Sequence, residues 1–387
     1  MKKITALMIT LSMLVSFPMT SIFAEESNDL DLAEHSKSAI LMEKDTGKVL
    51  YTKNADKRLP PASMTKIMTL ILIMEALEKG TIKLDEKVRI SEHAASMGGS
   101  QIFLEAGEEM TVHDLLKGVA IASGNDASVA LAERIAGSEK AFVKLMNEKV
   151  KQLGLKDTQF QNTTGLPAKN HYSTAKDLAI MAKELLKHQK ITEYTSIYDD
   201  YLRKGTEDEF WLVNTNKLVK FYKGVDGLKT GYTNEAKYCL TATAKRGDMR
   251  VIAVAMGADT TKKRNRDITT MLDYAFHQFE TKPLYKRFDV VDQLSMINAQ
   301  SEKVDVVTSD NVSLLLKKGE NAEQVKKEIK YDKGLKVPMK KGDRVGVLQI
   351  KNGDKVLSET PLVLKDDMKT ANIWTLLKRS FKEFVKS

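Results

Sequence analysis

The sequence is short of several residues and patterns that carry common chemistries. It has 1 cysteine in 387 residues. That excludes a disulfide framework and any zinc or iron–sulfur site built on several thiolates. The 7 prolines and 21 glycines are too few for a collagen-like or low-complexity chain. The 6 histidines include no H-E-x-x-H pair, and no G-x-S-x-G elbow occurs. No internal repeat is visible, and nothing calls for a metal or an organic cofactor. What is present is a globular composition, 42% hydrophobic and 29% charged, long enough for two or three domains. The 61 Lys and Arg outweigh the 52 Asp and Glu, giving +9. Spread over so long a chain, that excess points to an anionic surface nearby and not to nucleic acid.

One charge-free stretch has a specific meaning. Lys2 and Lys3 precede an uncharged run from Ile4 to Phe23, and Ala24 is followed by Glu25-Glu26. This reads as a signal peptide over residues 1–24, cleaved after Ala24, so the protein is expected to be exported. Pro18 and the small residue at the end argue against a retained anchor. With no Cys in the segment, a lipoprotein anchor is excluded.

The remainder divides by pattern. Over 25–282, Ser38–Glu43 and Lys48–Lys53 read as a hairpin. Pro60-Pro61 then break the chain before an apolar helix, Met64–Lys79. Helices follow at Thr111–Ala122, Asp126–Ala136, Glu139–Gln152 and Ser173–His188, with Thr111 and Asp114 as a capping box. Then come β-rich runs at Gly224–Thr230, Tyr238–Ala244 and Arg250–Gly257, and a last helix, Ile268–Phe279. Strands open and close this region while helices fill its middle, which predicts an α+β domain with an antiparallel sheet. Pro283 marks a boundary. Residues 283–368 alternate in short runs such as Val304–Thr308 and Arg344–Ile350, as in a small β-sandwich. Residues 369–387 carry one helix. On a helical wheel Ile373, Leu377, Phe381, Phe384 and Val385 share a face with Trp374 and Leu376, and Lys378, Arg379, Lys382 and Lys386 lie opposite. Such a helix suits the surface of an anionic membrane, although it also fits a surface helix docked on the β domain.

Three short motifs carry candidate chemistry. In Ser63-Met64-Thr65-Lys66 the serine stands at the mouth of the apolar helix and the lysine, three residues on, shares its face. A desolvated Lys66 can be neutral and act as general base toward Ser63. Ser173-Thr174-Ala175-Lys176 has the same spacing but reads as a helix start. Ser123-Gly124-Asn125 lies between two helices, where its hydroxyl and amide could relay a proton and hold a substrate amide; by itself it is an ordinary polar turn. Ser309-Asp310-Asn311 has the same pattern and reads as only a turn. Lys229-Thr230-Gly231 ends a strand; Lys229 and Thr230 could bind a carboxylate, and Gly231 would let a substrate backbone lie close. The lone Cys239 sits mid-strand and reads as a buried, inert thiol.

Taken in order, S-x-x-K, S-x-N and K-T-G form the trio of the penicillin-binding proteins and class A β-lactamases. With Pro61-Ala62-Ser63-Met64-Thr65-Lys66, Ser123-Gly124-Asn125-Asp126-Ala127 and Asp226-Gly227-Leu228-Lys229-Thr230-Gly231, the chain resembles the low-molecular-mass penicillin-binding proteins, the serine-type D-alanyl-D-alanine carboxypeptidases. Gly165-Leu166 and Tyr172–Asp177 fit the same family, although Pro167 stands where Asp is common and Tyr232 where His is frequent. The resemblance implies removal of the terminal D-Ala from peptidoglycan stem pentapeptides, at the outer face of the cytoplasmic membrane or in the wall, with β-lactams as inhibitors. It implies Ser63 as nucleophile, Lys66 as base, and Ser123 with Lys229 as proton relay. Asn125 would hold the acyl-side amide and Thr230 the carboxylate, with Ser63 and Tyr232 N–H groups as oxyanion hole. Arg264, or Arg266 in its place, would attract the carboxylate. A D,D-endopeptidase would use the same residues. A class A β-lactamase would need a loop glutamate, and between 155 and 190 the acids are Asp157, Asp177 and Glu184. A non-catalytic wall-binding protein is the remaining alternative.

Overall fold

The first strand, β1 (Ser38–Glu43), is buried along its whole length, as expected of a strand with neighbours on both sides and helices over both faces. It forms a hairpin with β2 (Val49–Lys53). The computed structural model describes residues 30–320 and 325–386; the expected signal peptide lies outside them. A 3-10 turn, Ala62–Thr65, leads into α1 (Lys66–Glu78). There follow β3 (Lys87–Arg89), α2 (Glu92–Ala95), β4 (Glu109–Thr111), α3 (Val112–Lys117), a π turn over Gly118–Ala122, α4 (Asn125–Ala136), α5 (Glu139–Gln152), α6 (Ala175–Leu185) and α7 (Ile191–Thr195). A hairpin of β5 (Asp199–Leu202) and β6 (Phe210–Val213), which the sequence patterning does not signal, precedes α8 (Leu218–Phe221). The meander β7 (Val225–Thr233), β8 (Lys237–Arg246) and β9 (Met249–Ala258) is followed by α9 (Thr261–Gln278).

The sheet runs β2-β1-β9-β8-β7 and is antiparallel throughout. Its side chains alternate as a pleated strand requires. Ile40, Met42, Ile252, Val254 and Met256 face the helical core around α1. Ala39, Leu41, Val251, Ala253 and Ala255 face α9. Helix α1 is apolar on nearly every side, so only the centre of the domain can hold it. Leu70, Ile71 and Ile73 are fully buried there, at about 1.5–3 kcal/mol of hydrophobic stabilisation each.

Two element boundaries differ from the sequence expectations. The helix expected from Ile268 begins at Thr261, because the Thr260 side chain accepts from Lys263 N and caps the charged first turn. The helix expected to reach Ala122 stops being α-helical at Lys117 and finishes as the π turn. Pro283, read as the domain boundary, lies within β10 (Phe279–Tyr285), which follows α9 directly and, among the described residues, pairs with one partner strand, a position in which a proline is tolerated.

Strand β10 pairs with β13 (Val312–Lys317) beside the sheet β11-β12-β16-β15-β14, formed by β11 (Val290–Leu294), β12 (Val304–Thr308), β14 (Val325–Tyr331), β15 (Arg344–Asn352) and β16 (Lys355–Leu364). Val306, Leu314, Leu348, Ile350 and Leu362 fill the sandwich between them. The Ser309-Asp310-Asn311 turn is more than a connector. Asp310 receives a buried ion pair from Lys44 at 2.6 Å, and Asn311 and Ser313 donate to Asp45. The first hairpin of the chain is thereby fastened to the β-sandwich. The chain ends in α10 (Ile373–Lys386).

Candidate active site

Ser63 stands in the 3-10 turn, immediately before α1, and Lys66 is the first residue of that helix. Lys66 is fully buried. Its Nζ lies 3.0 Å from Ser63 Oγ, 2.6 Å from Asn125 Oδ1 and 2.9 Å from the Thr164 carbonyl oxygen. Two of these partners can only accept. A neutral amine has two N–H bonds and one lone pair. Asn125 and Thr164 take the two N–H bonds, which leaves the lone pair for the Ser63 hydroxyl proton. The electrostatics favour the same state. Burial, and after it the positive charge of Lys229, hold the Lys66 amine well below the ordinary lysine range, against a smaller opposing pull from Asp126.

Each acceptor is itself fixed. Asn125 opens α4, and its Nδ2 donates to Gly98 O at 2.6 Å, which orients Oδ1 toward Lys66. The Asn125 amide expected to meet substrate is thus already bonded at both ends, with one N–H and one lone pair to spare. The Thr164 carbonyl belongs to a loop that α1 grips a turn further on, where Thr69 Oγ1 donates to Thr163 O at 2.7 Å. The next residue, Gly165, has φ +86°. A Cβ there would stand 1.8 Å from the Ala62 carbonyl oxygen and 2.9 Å from Ser63 N. The loop therefore lies directly against the backbone that presents Ser63. Thr65, between Ser63 and Lys66, is anchored to the same loop through His171 Nε2 at 2.8 Å. Gln161 N donates to His171 Nδ1, so the proton sits on Nε2, and burial holds the ring down to about 4.

Ser123 follows the π turn in a left-handed conformation, φ 66°. Strain of this kind in a non-glycine residue collects at functional sites. The Ser123 hydroxyl is buried and has no hydrogen-bond partner among the described residues, an unusual condition for a buried polar group.

The third element is β7. Lys229 is buried, donates to Thr230 O at 3.2 Å, and is pushed down to about 7 by burial and by the charge of Arg264. Thr230 Oγ1 donates to Thr215 Oγ1 at 2.7 Å. Gly231 serves a close approach within the protein: a Cβ there would lie 2.8 Å from Pro61 O. Its bareness seats the strand against the residues before Ser63. The Tyr232 side chain is half exposed and stacks on Tyr238, with ring centroids 4.5 Å apart. Of the two arginines, Arg264 faces the sheet and is buried, and Arg266 faces solvent. The Arg264 guanidinium lies 3.5 Å from Cys239 O and donates to Asn265 Oδ1. Burial lowers it to about 10, and it acts on Lys229 through its charge.

Ser63, Lys66 and Asn125 are therefore in direct contact, with Lys229 close enough to perturb Lys66. The other S-x-x-K is spent structurally: Thr174 caps α6 and Lys176 pairs with Asp56. Cys239 is buried, and burial pushes its thiol up to about 11. The acids Asp157, Asp177 and Glu184 are engaged with Arg58, Thr158 and Lys187. Thr164, Thr215, Gly98 and His171 carried no sequence signal, since each acts through a fold-dependent contact. Gly165 was visible only as one residue of a family-like stretch. Among the described residues no cluster suited to a metal ion occurs.

The profile of the D-alanyl-D-alanine carboxypeptidase family matches residues 24–260, and that of the penicillin-binding protein 5 C-terminal domain matches 279–370. The chain is 57% identical over 388 residues, covering all of both chains, to D-alanyl-D-alanine carboxypeptidase DacF of Bacillus subtilis. Penicillin-binding protein 5 of Haemophilus influenzae superposes with a TM-score of 0.68 at 32% identity, covering 87% of this chain and 98% of that one. Penicillin-binding protein D2 of Listeria monocytogenes, in its ampicillin-bound form, matches 62% of this chain and 98% of its own, with a TM-score of 0.57 and 33% identity.

Proposed function

Since the chain belongs to the D-alanyl-D-alanine carboxypeptidase family and has the activity of a serine-type D-Ala-D-Ala carboxypeptidase, we propose that Ser63 is its nucleophile and Lys66 the general base. The observation that carries this is the Lys66 amine, buried, 3.0 Å from Ser63 Oγ and held by two fixed acceptors.

The steps follow from the geometry. The substrate's terminal carboxylate meets Thr230 and the positive field of Lys229 and Arg264. The penultimate carbonyl enters between the N–H groups of Ser63 and Tyr232, where donors fixed in advance stabilise the developing oxyanion. Lys66 takes the Ser63 proton as Oγ attacks. The unpartnered Ser123 hydroxyl, with Lys229, returns a proton to the departing D-Ala nitrogen. Asn125 holds the acyl-side amide with its spare N–H. Water then releases the shortened stem and restores Ser63. A β-lactam enters the same way, and its ring opens onto Ser63. No acid of the 155–190 segment faces Ser63, which argues against the deacylating glutamate of a class A β-lactamase.

The protein acts on the exported side, held at the membrane surface by α10. Arg379 donates to the carbonyls of Ile297, Ala299 and Gln300, so the helix is tied to the sandwich on that side. Ile373 and Trp374 nevertheless remain 69% and 70% exposed. Aromatic and aliphatic side chains on such a helix suit the headgroup layer. No helix among the described residues is long and apolar enough to cross a bilayer.

The test is fluorescent penicillin labelling of wild type beside Ser63→Ala, with D-Ala release from a pentapeptide measured on both. Both signals should vanish in the variant. Labelling that survives Ser63→Ala would overturn the assignment.

A further inference from the structure

Beside the nucleophile lies an open cavity of about 590 Å³, within the range of ligand sites. One wall is the segment leading to Ser63, with Leu59, Pro60 and Pro61. Another is the loop after Gly165, with Leu166 and Pro167. The third is the end of β7 and the turn after it, with Thr233 and Glu235.

Its position relative to the reaction follows from the mechanism proposed above, on which this inference rests. With the terminal carboxylate at Thr230 and the scissile carbonyl at Tyr232, the stem peptide runs antiparallel to β7. Each residue advances it by about 3.3 Å. The residue preceding the penultimate D-Ala therefore lies beyond Tyr232, alongside Thr233 to Glu235, at the mouth of the cavity.

The chemistry of the rim is specific. The side walls are apolar and fit an aliphatic chain. Glu235 and Lys169 line the rim and are both exposed, and among the described residues neither has an ion-pair partner. Arg58, also on the rim, keeps its Nε and Nη2 on Asp157 and lies 4.8 Å from the Tyr172 ring centre, so its charge is already paired and, among the described residues, Lys169 is the free cation of the rim. A long side chain ending in an ammonium alone satisfies only Glu235. One that ends in both an ammonium and a carboxylate satisfies both signs.

We propose that this cavity receives the side chain of the stem's diamino acid and selects a zwitterionic end, as in diaminopimelate, over the single ammonium of lysine. Glu235 meets the ammonium; Lys169 meets the carboxylate.

Three soluble pentapeptides distinguish the outcomes: identical stems with meso-diaminopimelate, L-lysine or Nε-acetyl-lysine at the third position. D-Ala release is followed with the mature protein and with Glu235→Gln and Lys169→Met. Each exposed charge contact is expected to contribute up to about fivefold in kcat/KM. Wild type should therefore rank diaminopimelate above lysine and lysine above acetyl-lysine. Lys169→Met should bring the diaminopimelate-to-lysine ratio close to one, and Glu235→Gln the lysine-to-acetyl-lysine ratio close to one. Penicillin labelling of both variants reports that they are folded. Equal rates on all three peptides in wild type, or ratios that neither substitution changes, would overturn the proposal and leave the carboxypeptidase mechanism standing. Failure to release D-Ala from any of the three would refute that mechanism instead, and the cavity's role with it.

Discussion

Replacing Gly165 by Ala tests whether the loop it belongs to sets the position of the nucleophile. The added Cβ would begin 1.8 Å from Ala62 O and 2.3 Å from Ala62 C, and Cβ atoms essentially never come within 3.0 Å of such neighbours. Both neighbours are backbone, so no side chain can swing aside. The loop or the Ser63 turn must move by more than an ångström. An ångström of misplacement at a reacting centre costs about 100-fold in rate, equivalent to about 2.7 kcal/mol of barrier. The φ of +86° adds about 1–2 kcal/mol of backbone strain. The expected result is an acylation rate by fluorescent penicillin lowered by about two orders of magnitude, while the protein still melts cooperatively. The reasoning is refuted if Gly165→Ala acylates within threefold of wild type. A variant that fails to fold leaves Gly231→Ala as the parallel test: its Cβ would meet Pro61 O at 2.8 Å, a smaller intrusion that calls for a smaller loss.

Four further outcomes are expected. Acylation should fall as pH drops and Lys66 gains a proton, whereas substrate binding should weaken above about pH 7 as Lys229 loses one. Arg264→Gln removes a charge that depresses Lys229, so that alkaline limb should shift upward in a KM–pH profile; an unmoved limb would sink the assignment. Lys44→Met leaves the buried Asp310 without its ion-pair partner. Breaking a buried pair this way costs about 3–5 kcal/mol, which calorimetry should register as a melting point lower by roughly 4–7 °C in a chain of this length. Trp374→Glu with Leu377→Glu should move the protein from membranes to the soluble fraction on flotation; unchanged flotation would refute the role given to α10.

The parts of the site legible in the sequence are those held by local spacing. Ser63 and Lys66 meet because they share one turn of helix, and Lys229, Thr230 and Gly231 because a strand carries them together. Contacts made across the fold were not legible. Nothing about Thr164 announces that its carbonyl will hold a lysine. Gly231 was read as room for substrate, and its contact with Pro61 inside the protein carried no sequence signal. Local polarity also misled the element boundaries. Lys262 to Arg266 hid the first turns of α9, because the apolar periodicity begins only at Ile268 while the cap at Thr260 lies earlier. Ser309-Asp310-Asn311 looked like a bare turn because its partner, Lys44, comes from the opposite end of the chain.

The place of β1 in the sheet has a consequence for how the molecule is made. It lies between β2 and β9, with Ser38 opposite Met256. A chain delivered N-terminus first holds this buried, apolar strand without its partner until nearly the whole catalytic region has emerged. The β7–β8–β9 meander can form from neighbours alone, but insertion of β1 must close a very long loop, and such contacts form slowly. The early hairpin is then both the last piece to seat and an exposed strand edge in the meantime. A folding helper acting on this protein would have the β1–β2 hairpin as its natural target, and folding yield should be most sensitive to substitutions there.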